Sequence, residues 1–289
     1  MATLKGNCLV AQSGGPTSVI NASACGVIQE AFKSGEIDKV YAALHGVAGL
    51  LKEDLFLLNE ESPEEIELMK LTPASALGSC RYKLKSIEAN EDDYRRIIEV
   101  FQAHNIRYFF YIGGNDSMDT ANKVSQYAAH VGYELKSIGV PKTIDNDLPI
   151  TDHTPGFGSA AKFIATSIKE VGLDARVYDY PTVTICELMG RNAGWLTASS
   201  ALAREFEDDA PHFIYLPEIP FSFERFGKDI KSALDKYNYA VITFSEGIKT
   251  ENGKYISEIE DPNAVRDAFG HVQLGGASEV LERYVLDNI

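Results

Sequence analysis

Short apolar runs rich in β-branched and aromatic residues alternate with amphipathic stretches along the whole chain, and this alternation limits the folds open to it. NCLVAQ (7–12), KVYAAL (39–44), RYFFYI (107–112) and LKSIGV (135–140) have the length and composition of strands. Between them, SVINASACGVIQEAF (18–32) and SMDTANKVSQYAAHV (117–131) carry helical periodicity. Strands separated by helices in this way build a mostly parallel sheet covered on both faces. After TPGFGSAAKF (154–163) the pattern restarts with TVTICEL, HFIYLP and YAVITF, which predicts a second α/β unit and a boundary near residue 153. Ligands of such sheets bind beyond the carboxyl ends of the strands, where glycine-rich loops enter helices.

Charge narrows the partners. The 289 residues carry a formal net charge of −15, against a nucleic-acid or membrane-surface protein, which would need basic patches. An anionic ligand must then be held by locally placed lysine and arginine. No apolar run approaches the ~20 residues of a membrane span, and MATLKGN does not read as a signal peptide. Cys8, Cys25, Cys80 and Cys186 lack zinc spacing and disulfide density, which predicts reduced thiols, a cytoplasmic setting and packing roles for Cys8 and Cys186.

The unusual residues gather at the predicted strand ends. SGGPTS follows the first strand, and Gly14 and Gly15 permit a tight turn whose bare backbone can approach an anion, with Ser18 placed to cap the next helix. On its own this is a weak signal, since most Gly-Gly turns after strands merely connect. ALGSCRYKL (76–84) brings Arg81 and Lys83, either surface cations or a phosphate clamp. GGNDS follows RYFFYI and sets Gly114, Asn115 and Asp116 at the start of a helix. GVPKTIDNDLP (139–149) is the most specific stretch: Lys142, Thr143, Ile144, Asp145 and Asp147 lie between two prolines. If extended, it would point both carboxylates the same way. A carboxylate near a lysine stays ionised and can take a hydroxyl proton, while the lysine neutralises a transferring phosphoryl group. LMGRNAGW (188–195) places Met189, Gly190 and Arg191 between a strand and a predicted helix N-terminus, where a cation favours a bound anion. Glu187, Glu218 and His271 also fall at predicted strand ends or in a glycine-rich loop, as hydrogen-bonding candidates or ordinary surface groups.

Taken together, SGGPTSVINA, LGSCRY, GGNDS, PKTIDND, MGR, PE and GHVQLGG stand in the order and rough spacing of the phosphofructokinase family, which the chain resembles from Ser13 to Arg283. The resemblance implies two doubly wound, Rossmann-like α/β domains with the active site in the cleft between them. It assigns 1–153 plus 274–289 to donor binding and 154–273 to sugar-phosphate binding. It implies Asp145 as the base that deprotonates the sugar 1-hydroxyl and Arg191 as the cation that stabilises the transferring phosphoryl group. Thr143, Ile144, Asp145, Met189, Gly190, Arg191, Glu218 and His271 would bind the sugar phosphate. Gly14, Gly15, Arg81, Gly114 and Lys142 would bind the donor, with Asn115 or Asp116 at Mg²⁺. Asp116 and Lys142 replace glycines of the ATP-using members, and diphosphate-using members are similar in both places. A carboxylate there repels a nucleotide's α-phosphate, and a lysine offers a cation to a compact, highly charged donor.

The resemblance thus implies a glycolytic, diphosphate-dependent phosphotransferase acting on fructose 6-phosphate, in the form of a cytoplasmic homo-oligomer, dimer or tetramer. An ATP-dependent enzyme, a diphosphate-dependent kinase of another sugar phosphate and a catalytically silent regulatory homologue are the alternatives. Asn115 stands where the family has a metal-associated aspartate, Leu274 where arginine is commoner, and Thr182 where many members have an arginine reaching a neighbouring subunit. Family members also continue well beyond Ile289, so a C-terminal part is expected to be missing.

Overall fold

The computed structural model describes residues 4–259 and 276–289. The chain divides into two compact units, residues 1–142 and 143–289.

In the first unit the predicted strands form as β1 (Gly6–Gln12), β2 (Ile37–Ala43), β4 (Ile106–Gly113) and β5 (Lys136–Pro141), with a short β3 (Leu55–Leu57). The sheet order is β3-β2-β1-β4-β5. All pairings are parallel except that of β2 with β3. The helices are α1 (Ser18–Lys33), α2 (Gly46–Lys52), α3 (Pro63–Leu68), α4 (Glu91–Ala103) and α5 (Asn115–His130). Central β1 is buried on both faces, and its side chains alternate between two cores. Leu9 and Ala11 pack with Ile97, Phe101 and Phe109, whereas Cys8 and Val10 pack with Ile20, Ile28 and Val40. Each such fully buried aliphatic side chain contributes on the order of 2 kcal/mol.

The second unit contains α6 (Phe157–Ala175), β6 (Thr182–Leu188), α7 (Trp195–Ser199), β7 (Phe213–Tyr215), α8 (Phe223–Tyr237), β8 (Tyr239–Ser245) and α9 (Ala277–Asn288). Its parallel sheet runs β6-β8-β7. Strand β8 is fully buried; Ala240, Ile242 and Phe244 face one core, and Tyr239 and Val241 the other. β7 is shorter than the HFIYLP run suggests.

The unit boundary also differs from the one near residue 153. Residues 143–156 are tied to the start of α6: Thr143 N donates to Pro155 O at 3.1 Å, and Thr154 Oγ1 to Thr143 O at 2.8 Å. Helix α9 packs on the second unit, burying Ala277, Val280 and Leu281 beside Phe226 and Phe244, so residues 276–289 do not join the first unit. All four cysteines are free, and burial pushes the Cys8 thiol up to about 12, as suits a packing residue.

Candidate active site

In the first unit the glycine turn lies directly beyond β1. Ser13 N donates to Ile112 O at 2.9 Å, and Gly14 then takes φ +83°, a left-handed conformation that suits glycine. The helix cap falls on Thr17 instead of Ser18, and no side-chain hydrogen bond closes it. Thr17 Oγ1 is buried with no partner among the described residues.

A polar network fastens the next loop to this turn. Gln12, wholly buried, donates to Ile20 O and Asn21 Oδ1, both at 3.0 Å, and accepts from Ser75 Oγ at 2.7 Å and Leu77 N at 2.9 Å. Ser79 Oγ donates to Gly14 O at 2.6 Å, and Ser13 Oγ to Cys80 O at 3.1 Å. Exposed Arg81 follows at once.

The GGNDS segment joins β4 to α5. Gly113 admits no side chain, since a Cβ there would stand 2.2 Å from Ser117 Oγ. Gly114 is the N-cap of α5, and Asn115 and Asp116 begin the helix. Lys142 N donates to Gly113 O at 2.9 Å, which fixes the lysine backbone against this segment. The Lys142 side chain is buried, and its Nζ lies 3.6 Å from where a Cβ on Gly14 would stand and 3.9 Å from the same position on Gly15. The turn, the start of α5 and a buried ammonium are therefore brought together, as an anion cradle requires.

Asn115 and Asp116 offer oxygen ligands of the kind Mg²⁺ prefers. Among the described residues, no group of three or more His, Cys, Asp or Glu is placed to hold a metal ion. Two such donors by themselves leave most of the octahedral shell of an Mg²⁺ to other ligands.

In the second unit Asp145 N donates to Thr143 Oγ1 at 3.1 Å, a local turn that fixes the aspartate backbone. Asn146 has φ +57°, so the segment is not extended, and the condition under which Asp145 and Asp147 would face the same way is not met. Buried Asn146 donates to Asp152 O at 3.1 Å and accepts from Thr154 N at 2.8 Å. Its amide shapes the loop, and Asp147 is left exposed.

The Met189–Arg191 loop meets the end of β8. Gly190, at φ +134°, accepts from Ser245 Oγ at 2.6 Å, and its N–H reaches Glu246 Oε1 at 3.4 Å. A Cβ on Gly247 would stand 2.0 Å from Arg191 O, so this glycine lets the arginine backbone pass. Arg191 does not sit at a helix N-terminus: α7 starts at Trp195 and has only five residues. Glu218 accepts from Gly194 N at 2.7 Å, at the cap of α7, and Glu187 accepts from Ser278 N at 3.1 Å, at the start of α9. Both carboxylates thus have backbone partners. His271 and Leu274 lie outside the described residues.

Glu246 is the site residue that the sequence motifs miss. Burial raises its carboxyl above the ordinary range, Asp145 and Glu187 add to the rise, and the Gly190 N–H and Arg191 oppose it. Asp145, Glu187 and Arg191 thus each act electrostatically on the Glu246 carboxyl.

Two parallel α/β units with glycine-rich loops and charged side chains at their strand ends define the class of fold. The chain belongs to the phosphofructokinase family, whose sequence profile matches residues 7–288. It is 50% identical over 278 residues to the pyrophosphate--fructose 6-phosphate 1-phosphotransferase of Halomonas elongata, covering 95% of this chain and 65% of that protein. The enzyme of the same name from Xanthomonas campestris is 50% identical over 282 residues, covering 97% of this chain and 66% of that one. A crystal structure of pyrophosphate-dependent phosphofructokinase from Marinobacter aquaeolei superposes with a TM-score of 0.82 at 46% identity, covering 98% of this chain and 65% of the other. The chain thus spans about two thirds of the length of these relatives.

Proposed function

We propose that the protein transfers a phosphoryl group from diphosphate to the 1-hydroxyl of fructose 6-phosphate, giving fructose 1,6-bisphosphate. The observation that carries this reading is the buried Lys142 ammonium beside the Gly14–Gly15 turn, with Asp116 in the first turn of α5. A compact dianionic or trianionic donor gains from the lysine and the helix amides, whereas a longer nucleotide meets a carboxylate. The similar proteins from Halomonas elongata and Xanthomonas campestris are named for the same donor and sugar.

In this reading the loops of the first unit hold diphosphate through Gly14, Gly15, Gly114, Arg81 and Lys142. Asp145 accepts the proton of the sugar hydroxyl, and the oxygen so formed attacks the nearer phosphorus as the bond to the leaving phosphate breaks. Arg191 and Lys142 balance the charge that moves across the phosphoryl group. Thr143, Ile144, Met189 and Gly190 shape the sugar-phosphate pocket, joined by His271 and by Glu246, whose carboxylate suits a sugar hydroxyl. Glu218 supports the loop that carries Arg191. Mg²⁺, held by Asp116 or Asn115 together with donor oxygens, neutralises phosphate charge when bound.

No helix of the described residues is long and apolar enough to cross a membrane. We place the protein in the cytoplasm, in glycolysis and in a homo-oligomer on the family resemblance. The test is formation of fructose 1,6-bisphosphate from fructose 6-phosphate and Mg²⁺, with diphosphate and ATP supplied as parallel donors. Turnover with diphosphate alone is expected, and turnover with ATP alone overturns the donor assignment.

A further inference from the structure

Lys83 has no part in the reaction as proposed above, yet its Nζ lies 3.3 Å from Asp116 Oδ1. Both side chains are partly exposed, and such pairs usually contribute little because two flexible chains must be held in place. Here the backbone on either side of Lys83 is fastened. Ser79 and Cys80 are bonded to Gly14 and Ser13. Beyond it, buried Leu84 accepts at its carbonyl from Lys123 Nζ of α5 at 3.1 Å, and the Lys85 carbonyl accepts from Tyr94 OH. Lys83 is thereby carried on a segment anchored to both the glycine turn and α5.

The position of Asp116 gives the pair its consequence. A carboxylate in the first turn of a helix is drawn towards the free N–H groups there, the same groups that attract a phosphate. Left to that field alone, Asp116 would compete with an anionic donor. A cation on the neighbouring loop supplies a second attraction.

We propose that Lys83 is a positioning residue for donor selection, holding the Asp116 carboxylate aside from the amides of α5 so that they remain open to diphosphate while the carboxylate still opposes a nucleotide. The role rests on the diphosphate reading given above. Lys83 acts through Asp116 and makes no contact with the donor.

A double-mutant cycle in the full chain tests this, using diphosphate affinity by calorimetry alongside KM and kcat. Lys83→Met should weaken diphosphate binding and raise its KM about three- to tenfold, with kcat within about twofold. Lys83→Arg should recover most of that loss. In an Asp116→Gly background the Lys83→Met change should have almost no further effect on diphosphate affinity. An equal loss in both backgrounds means that Lys83 touches the donor itself and overturns the proposal, as does a loss confined to kcat. A matching drop in melting temperature for Lys83→Met assigns the residue a merely structural part and also overturns it. A wild-type chain that binds ATP in preference to diphosphate overturns the reaction assignment, and this role with it.

Discussion

Glu246 Oε1 accepts the Gly190 N–H at 3.4 Å, and through that contact the end of β8 is joined to the loop carrying Arg191. The parallel register of β6 and β8 sets it up: Leu188 pairs with Ser245, and Glu246 N then donates to Leu188 O at 2.8 Å. Burial and two nearby acids act on this carboxylate against one arginine and one amide.

Stability should depend on pH through Glu246. Its native pKa is raised above the ordinary value of 4.5, so the folded chain holds the proton more tightly than the unfolded one. That contribution is complete below the unfolded value and is lost as pH rises through the native one. Glu246→Gln, neutral throughout, should therefore gain in melting temperature relative to wild type as pH rises. A difference that stays constant with pH would contradict this.

Asp145→Ser should lower kcat by at least about a hundredfold, the usual contribution of a positioned base. Sugar-phosphate affinity measured by calorimetry should change far less. Equal losses in kcat and affinity would show that Asp145 serves binding instead of proton transfer.

Gly14→Ala should cost about 1 kcal/mol of stability, because φ +83° strains any residue with a Cβ. The added methyl would stand 3.6 Å from Lys142 Nζ, in van der Waals contact, and take up space beside the bare backbone that an anion would approach. Diphosphate affinity should fall by more than the stability change alone explains, a comparison that denaturant unfolding and calorimetry make directly.

Gly247→Ala should disturb the Arg191 backbone, since its Cβ would stand 2.0 Å from Arg191 O. Overpacking of this kind costs about 1–3 kcal/mol. The damage should appear in unfolding and in sugar-phosphate affinity together, with donor affinity little changed.

Much of the fold was legible because parallel strands buried on both faces must be written as short apolar runs. NCLVAQ, RYFFYI and YAVITF are of that kind, and each forms a strand. The glycine turn and the PKTIDND loop were legible for a different reason, since few ordinary turns combine glycine, lysine and aspartate in such spacing. Glu246 was not legible. In YAVITFSEGIK it reads as a common strand-end acid, and only the pairing of β8 with β6 brings it to Gly190. Asn146 was missed because its left-handed conformation depends on bonds to Asp152 and Thr154 that close around it. The place of α9 could not be read either, because its apolar stripe does not say which core receives it.

Gln12 has a further consequence for motion. Its side chain bonds at once to α1 and to the Ser75 hydroxyl and Leu77 N–H of the following loop, at the end of a strand buried on both sides. The loop leading to Arg81 and Lys83 has no regular secondary structure, yet it cannot loosen without breaking bonds to the sheet. In hydrogen exchange the Leu77 amide should behave as part of the sheet and open with it, so protection will follow the Gln12 network instead of the boundaries of the helices and strands.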